Sequence, residues 1–543
     1  MSELRTAFLT GPNEYRSAVF GDASQRRTRL GYAAAAGVLI FALRIDPFKG
    51  LVVGGLVGIA IILLLNPTVS GDLLSKLVAR YRWRQRVRSG ADRFVPYDEA
   101  RAKEIFAKGN KGMRRDLGAL RAMPDGCDGM GWLRCGVDET GIAWHEPLDG
   151  STPYLSVAFE VGGRMQGFES VERLNFSTQR WGAFLATLAG DFSLCRYVQV
   201  VTRILPPDAA YHEVWARDHM DRDLAHHAGG RTLLRSYEEV LAEASSIGTV
   251  QRHYIVLRYD IDGDFTTRAA RYAPGIEGWR ILMDAEVAAA ERGLRNAGVG
   301  TVQPLTARSV AAFIRHAQDP SHPIDQRSDI DVTNFGVPSF DTRAMYVTND
   351  MGDPEGKLHW YSATARVTAE NMDAGLKNML WVNGWLVDMP EPIVRTMSFH
   401  MRIVPARTAR ALARSDETAD LAEYNKAARK GILDSEVEAR QAASRQRAED
   451  LRPGSGHHGI EWLGFVTVTA ASPMELDRHS RMVAERASTQ LGVRRLEWCR
   501  DYQSVAAGFT WPIARALHPH KRASLGTRVD GAIARLDTEG QLS

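Results

Sequence analysis

Residues 30–65 read LGYAAAAGVLIFALRIDPFKGLVVGGLVGIAIILLL, two apolar runs around a short polar break. Leu30–Leu43 alone would give about 21 Å of helix, against a hydrocarbon core about 30 Å thick. Extended from Thr28 to Ile45, with Arg44 snorkelling to the interface, the first run becomes workable. The second, Gly50–Leu65, becomes workable when continued to Val69. Asp46 and Pro47 supply the break, since Pro ends helices and Asp is expensive at a bilayer centre. The second run carries no charged, amide or hydroxyl side chain, whereas a soluble amphipathic helix needs a polar face. That disfavours a pair of buried core helices. A signal peptide is disfavoured too, because the second run follows at once and Asn66-Pro67 is no small-residue cleavage site. The stretch therefore predicts a two-helix transmembrane hairpin over 30–69.

The flanks orient it. Arg26, Arg27 and Arg29 precede the runs; Lys76, Arg80, Arg82, Arg84, Arg86 and Arg88 follow, with Asp72 the one acid between residues 70 and 88. The excess of basic residues on both sides predicts both termini and the bulk of the chain on the cytoplasmic side of the inner (plasma) membrane. Residues 70–95 read as a basic juxtamembrane helix. Its arginines would hold anionic headgroups, and Tyr81 and Trp83 suit the interface. The lipid bilayer is thus an expected partner. A nucleic-acid patch is the alternative reading of the same charges, but the net charge of the chain is only +3, so no global field argues for it.

At 543 residues, 44% hydrophobic and 24% charged, the chain has the composition of two to four globular domains. Cys127, Cys135, Cys195 and Cys499 show no CxxC spacing, which excludes a zinc ribbon and a disulfide scaffold and leaves free thiols. Beyond the cytoplasmic segment 1–29, the hairpin and the juxtamembrane helix, residues 96–405 read as a mixed α+β region. In LSVAFEV, Leu155, Val157, Phe159 and Val161 share one face; in MSFHMRI, Met397, Phe399, Met401 and Ile403 face in while Ser398, His400 and Arg402 face out. HYIVLRYDI reads as a central strand, and RAMYVTNDMGDPEGKLHWYSATARVTA as a long hairpin. Residues 406–452, with one Gly and no Pro, predict two helices meeting near Gly431, as a projecting pair or a solvated connector. Residues 453–515 form a last strand–helix–strand unit, whose helix starts with Ser472 as cap, Pro473, and Glu475 at the third position. Residues 516–543 read as a tail.

Candidate chemistry is sparse. GDPEGKL has the wrong spacing for a phosphate loop and no hydroxyl after its lysine. DIDGD has Phe265 and Tyr272 where a calcium loop needs Gly and Glu. In YHEVWARDHMDRDLAHH, His212, His219, His226 and His227 lie near acids but lack an H-E-x-x-H spacing, so a solvated face is favoured over a metal site. No catalytic residue, metal ligand or cofactor is assigned.

The last unit supplies a resemblance. The run from Glu461 to Arg515, a strand, a capped helix carrying Glu475, a second strand, then Gln503 and Trp511-Pro512, resembles the end of the non-motor, amino-terminal half of the VirB-type ATPase of type IV secretion. The opening hairpin resembles the PrgI-like membrane component often found beside that ATPase. Together they look like the actinobacterial conjugation membrane protein that combines such a hairpin with an ATPase half lacking its motor domain. No Walker motif is present, so the resemblance implies a membrane-anchored scaffold rather than an enzyme. Its implied partners are a separate VirB-type ATPase and other inner-membrane subunits, with self-association possible and DNA met only indirectly. A membrane-anchored metal enzyme using His212–His227 and a membrane-tethered nucleic-acid adaptor are the rival readings.

Overall fold

The computed structural model describes residues 3–9, parts of 36–60 and 81–88, most of 99–116 and most of 125–515. The fold is α+β, but the transmembrane hairpin over 30–69 is corrected. No helix among the described residues is long and apolar enough to cross a membrane. The longest described piece of the two runs, residues 52–60, is helical. It amounts to about 14 Å, under half of a hydrocarbon core. Val52, Val53, Leu56 and Ile59 on it are exposed.

Among the described residues, twelve strands form one antiparallel sheet made of two similar units. Unit one opens with a hairpin, β1 (Met130–Arg134) and β2 (Ile142–His145). It continues through β3 (Tyr154–Val161), α1 (Val171–Leu188), β4 (Cys195–Leu205), α2 (Ala228–Ile247), β5 (Val250–Asp260), α3 (Gly275–Ala297) and β6 (Val302–Pro304), and α4 (Ala307–Gln318) follows. Unit two opens with the hairpin β7 (Ser339–Asp341) and β8 (Met345–Val347). Then come β9 (His359–Val367), β10 (Val394–Val404), α5 (Ala406–Arg429), α6 (Ser435–Asp450), β11 (Gly459–Ala470), α7 (Pro473–Arg486) and β12 (Glu497–Trp498), followed by α8 (Gln503–Ala507).

The order across the sheet is β1-β2-β3-β5-β4-β10-β11-β9-β8-β7, with β6 on β3 and β12 on β9. With α2 and α5–α6 set aside as insertions, each unit reads β-α-β-β-α-β, in the strand order fourth, first, third, second, which is the ferredoxin-like arrangement. In unit two the first crossover carries one short α-helix, Asn383–Leu386, besides a 3-10 turn at Ala369–Asn371 and a short strand, Lys377–Asn378, paired with Thr6–Ala7. The units join through their second strands. β4 and β10 pair antiparallel from Tyr197↔Arg402 to Ile204↔Arg395. The same element thus meets its counterpart, as at a two-fold interface.

Local sequence explains the elements. β3 carries Val157, Phe159 and Val161 at alternating positions, and β11 is aromatic or β-branched from Phe465 to Thr469, which suits a pleated strand. Thr306 caps α4 by accepting the Ser309 N–H at 3.2 Å, and Ser472 caps α7 by accepting the Glu475 N–H at 3.2 Å. β5, read as a central strand, lies between β3 and β4. β8 pairs with β9 as the predicted long hairpin, whose tip lies outside the described residues.

The two faces of the sheet differ. On one, Leu155, Val157 and Phe159 of β3 pack under Leu185 of α1 and Trp279, Met283 and Leu294 of α3. In unit two, Val466 and Val468 pack under Val483, Leu491 and Trp385. The other face carries Ser156, Gln199, Thr396, Ser398, His400, Thr364, Thr467 and Thr469, all buried. The prediction that Ser398 and His400 face out is therefore half right: they lie opposite the apolar side, but a second layer covers them. That layer is α4, buried around its whole circumference, together with residues 503–515.

Candidate functional site

The helical pair α5–α6 stands on the connection between β10 and β11. Its seam is built from small side chains, Ala409, Ala413, Ala443 and Ser444, all buried, which lets two helices approach closely. Leu451 and Val404 close the root. Gly459, at the start of β11, is required there because an added Cβ would sit 2.6 Å from the Ala409 Cβ. Arg447 of α6 bridges to Asp416 of α5 at 3.2 Å.

A groove of about 550 Å³ lies along this root, walled by Arg410, Arg414, Arg445, Arg452, Glu417 and Glu449, with Leu421 and Leu451 among its apolar atoms. Four guanidinium groups thus face two carboxylates. Arg445 and Arg452 both lie near Glu449, at 3.4 and 3.6 Å. Arg410 donates its Nε–H to the Ala406 carbonyl. Arg414 is exposed and joins no ion pair among the described residues. The groove therefore presents excess positive charge beside a half-exposed leucine.

The second candidate is the polar seam under residues 503–515. Gln199 on β4 donates through Nε2 to Ser398 Oγ and to the Trp511 carbonyl, both at 2.8 Å, and accepts the Ala514 N–H at 2.7 Å. His400 Nε2 lies 2.7 Å from the Phe509 carbonyl, so that nitrogen carries the proton. The Tyr154 hydroxyl donates to the Ile513 carbonyl, and Thr467 bonds Thr510 at 2.9 Å. Trp511 and Ile513 fill the space above. The segment 503–515 is thus a clasp, fastened to both units at once.

Beneath it, His145 Nε2 meets Ser156 Oγ at 2.9 Å, and the imidazole stacks on Tyr154. Burial, then Arg258 and Arg515, lower the His145 pKa to about 3, so it is neutral at pH 7. The pair resembles a nucleophile and its base. Both groups are sealed from solvent, and their hydrogen bond satisfies two buried polar atoms. On α4, His316 is likewise lowered to about 3 by burial and then by Arg203, and its Nδ1 donates to the His322 carbonyl.

The residues expected from the sequence do not form one site. Arg26, Arg27, Arg29, Arg80, Arg82, Trp83 and Arg86 lie outside the described residues. Tyr81, Arg84 and Arg88 are helical and exposed, and Gln85 donates to the Tyr81 hydroxyl at 2.7 Å. Glu475 lies in the first turn of α7, on one face of the sheet; Pro512 is buried in the clasp on the other. Gln503 opens α8. His212 is outside the described residues, and His219, His226 and His227 are exposed. Among the described residues no three His, Cys, Asp or Glu side chains gather as metal ligands.

Sequence reasoning took Ser398 and His400 only as outward-facing positions and did not single out Gln199. A signal was present: the polar positions of these strands hold Ser, Thr, Gln and His rather than the Lys and Glu of a wet face. Trp511 was the matching partner, a large apolar ring just before a polar tail. Set beside models of known protein families the chain matches none, and no curated protein matches it.

Proposed function

We propose that the chain is a non-catalytic docking scaffold for a separate VirB-type ATPase in a conjugation-type secretion machine. The observation that carries this reading is the α5–α6 pair. It leaves the sheet from the connection between β10 and β11 and satisfies its own seam with small residues. Its groove is left to solvent, with charge in excess. The sequence resemblance of the last unit to the non-motor half of such an ATPase supports the choice of partner. Glu475 serves as the third residue of a capped helix and Pro512 as part of the clasp, so both act through the fold. On this reading the scaffold meets DNA only through the ATPase.

The test is co-purification with the VirB-type ATPase of the same cell. Co-migration of the two is expected, with loss when residues 407–451 are replaced by a short Gly/Ser linker and the melting profile of the sheet is kept. Absence of co-migration, together with normal DNA transfer after deletion of the gene, would remove the reading.

A further inference from the structure

We infer that the α5–α6 groove binds an acidic peptide segment that carries one large apolar side chain. The inference rests on the docking reading and names the chemistry of the segment the groove accepts. Its walls hold four arginines and two glutamates. Arginine forks recognise carboxylates two bonds at a time, and Arg414 is exposed with no ion pair among the described residues. Arg445 and Arg452 share the single carboxylate of Glu449, so each has donors left over.

The apolar atoms fix the second half of the description. Leu421 is 45% exposed beside the arginines, and Leu451 sits at the root. A buried hydrophobic anchor ringed by polar contacts is the usual build of a peptide site. The volume, about 550 Å³, takes a few side chains rather than a domain. Glu417 and Glu449 argue against a nucleic-acid strand, whose evenly spaced phosphates would meet both carboxylates. A peptide can place its own uncharged or apolar residues there.

Fluorescence anisotropy with the full chain tests this. The probe is a labelled synthetic peptide of Glu and Asp with a single central Leu. Its controls are the same peptide with Gln and Asn for the acids, one with Ser for the Leu, and a single-stranded oligonucleotide of equal charge. Saturable binding is expected for the acidic peptide, at least tenfold weaker for the amide and Ser versions. Arg414→Glu should weaken it about tenfold, and Leu421→Ser several-fold, with unchanged circular dichroism and melting. Both side chains are exposed enough for the fold to tolerate these changes.

No saturable binding, or insensitivity to Arg414→Glu, overturns the inference. Tighter binding of the oligonucleotide through the same arginine also overturns it, in favour of a nucleic-acid groove. If the ATPase still co-migrates with the Arg414→Glu protein, the scaffold reading survives and this groove is not its acidic-peptide site. If the peptide binds but the ATPase never co-migrates, the groove stands and the scaffold reading falls.

Discussion

Unit one closes its first crossover with the 18-residue helix α1; unit two does so with the four-residue helix Asn383–Leu386. The two cover the same strand positions by different physics. α1 buries Leu174, Phe184 and Leu185 as an amphipathic helix does. The short helix relies on a knot: Trp385 is fully buried and donates its Nε1–H to the Val483 carbonyl at 3.0 Å. Arg395 then donates to the carbonyls of Trp385, Ile393 and Leu386 at 2.6, 2.8 and 3.1 Å. One large ring and one buried guanidinium take the place of several turns of helix. The topology is kept while the residues that hold it share nothing.

The contrast is broken most severely at the knot. Trp385→Ala should cost about 4 kcal/mol, the usual range for a buried tryptophan. Urea unfolding should remain a single transition, because the paired β4–β10 seam makes one sheet of two units. A variant whose unit one unfolds separately would show that the units are independent.

Acid should strike the other unit. His145 on β2 and His316 on α4 are held near pKa 3, against about 6.5 when unfolded. The unfolded chain then binds protons that the folded chain refuses. Stability is complete above pH 6.5 and falls as the pH drops towards 3. By pH 5 each imidazole should have removed about 2 kcal/mol. Urea midpoints at pH 7.5 and pH 5 measure this. His316→Asn should remove part of the slope, and a flat profile would contradict the neutral assignment.

The clasp joins the units from above. Gln199→Ala should cost about 2 kcal/mol, since it strands the Ala514 N–H in a dry interior and leaves the Trp511 carbonyl with only the Ile513 N–H. Faster proteolysis after residue 500 than in the unaltered chain is the accompanying readout. Smallest of all, Arg447→Ala should cost about 0.5 kcal/mol, because both partners of its bridge to Asp416 keep a quarter of their exposure. A larger loss would show that the α5–α6 seam depends on that ion pair rather than on its alanines.

Period-two alternation in β3 and β10 and the cap at Ser472 were legible because they are local. The pair α5–α6 was legible because a run without Pro and rich in Ala has few alternatives to helix. The duplication was not. Its counterparts differ in length and residue type at the crossovers, and only hydrogen-bonding partners reveal the equivalence. The burial of Ser398 and His400 was hidden for a related reason: alternation tells which side a residue takes, not whether a second layer covers it. The hairpin at 30–69 was inferred from apolar composition, which does not say how far a helix runs. The candidate site was half legible. The helical pair was expected, but its groove depends on which arginines of two helices meet.

The antiparallel seam has a mechanical consequence. β4 and β10 run in opposite directions, so the α5–α6 pair and the connection towards α2 leave the sheet from opposite ends. Tension applied between those two ends runs along the strands. It loads the hydrogen bonds from Tyr197–Arg402 to Ile204–Arg395 in shear, where they share the force and yield together rather than peeling apart one by one. A molecule gripped at those two points would transmit a pull instead of opening under it.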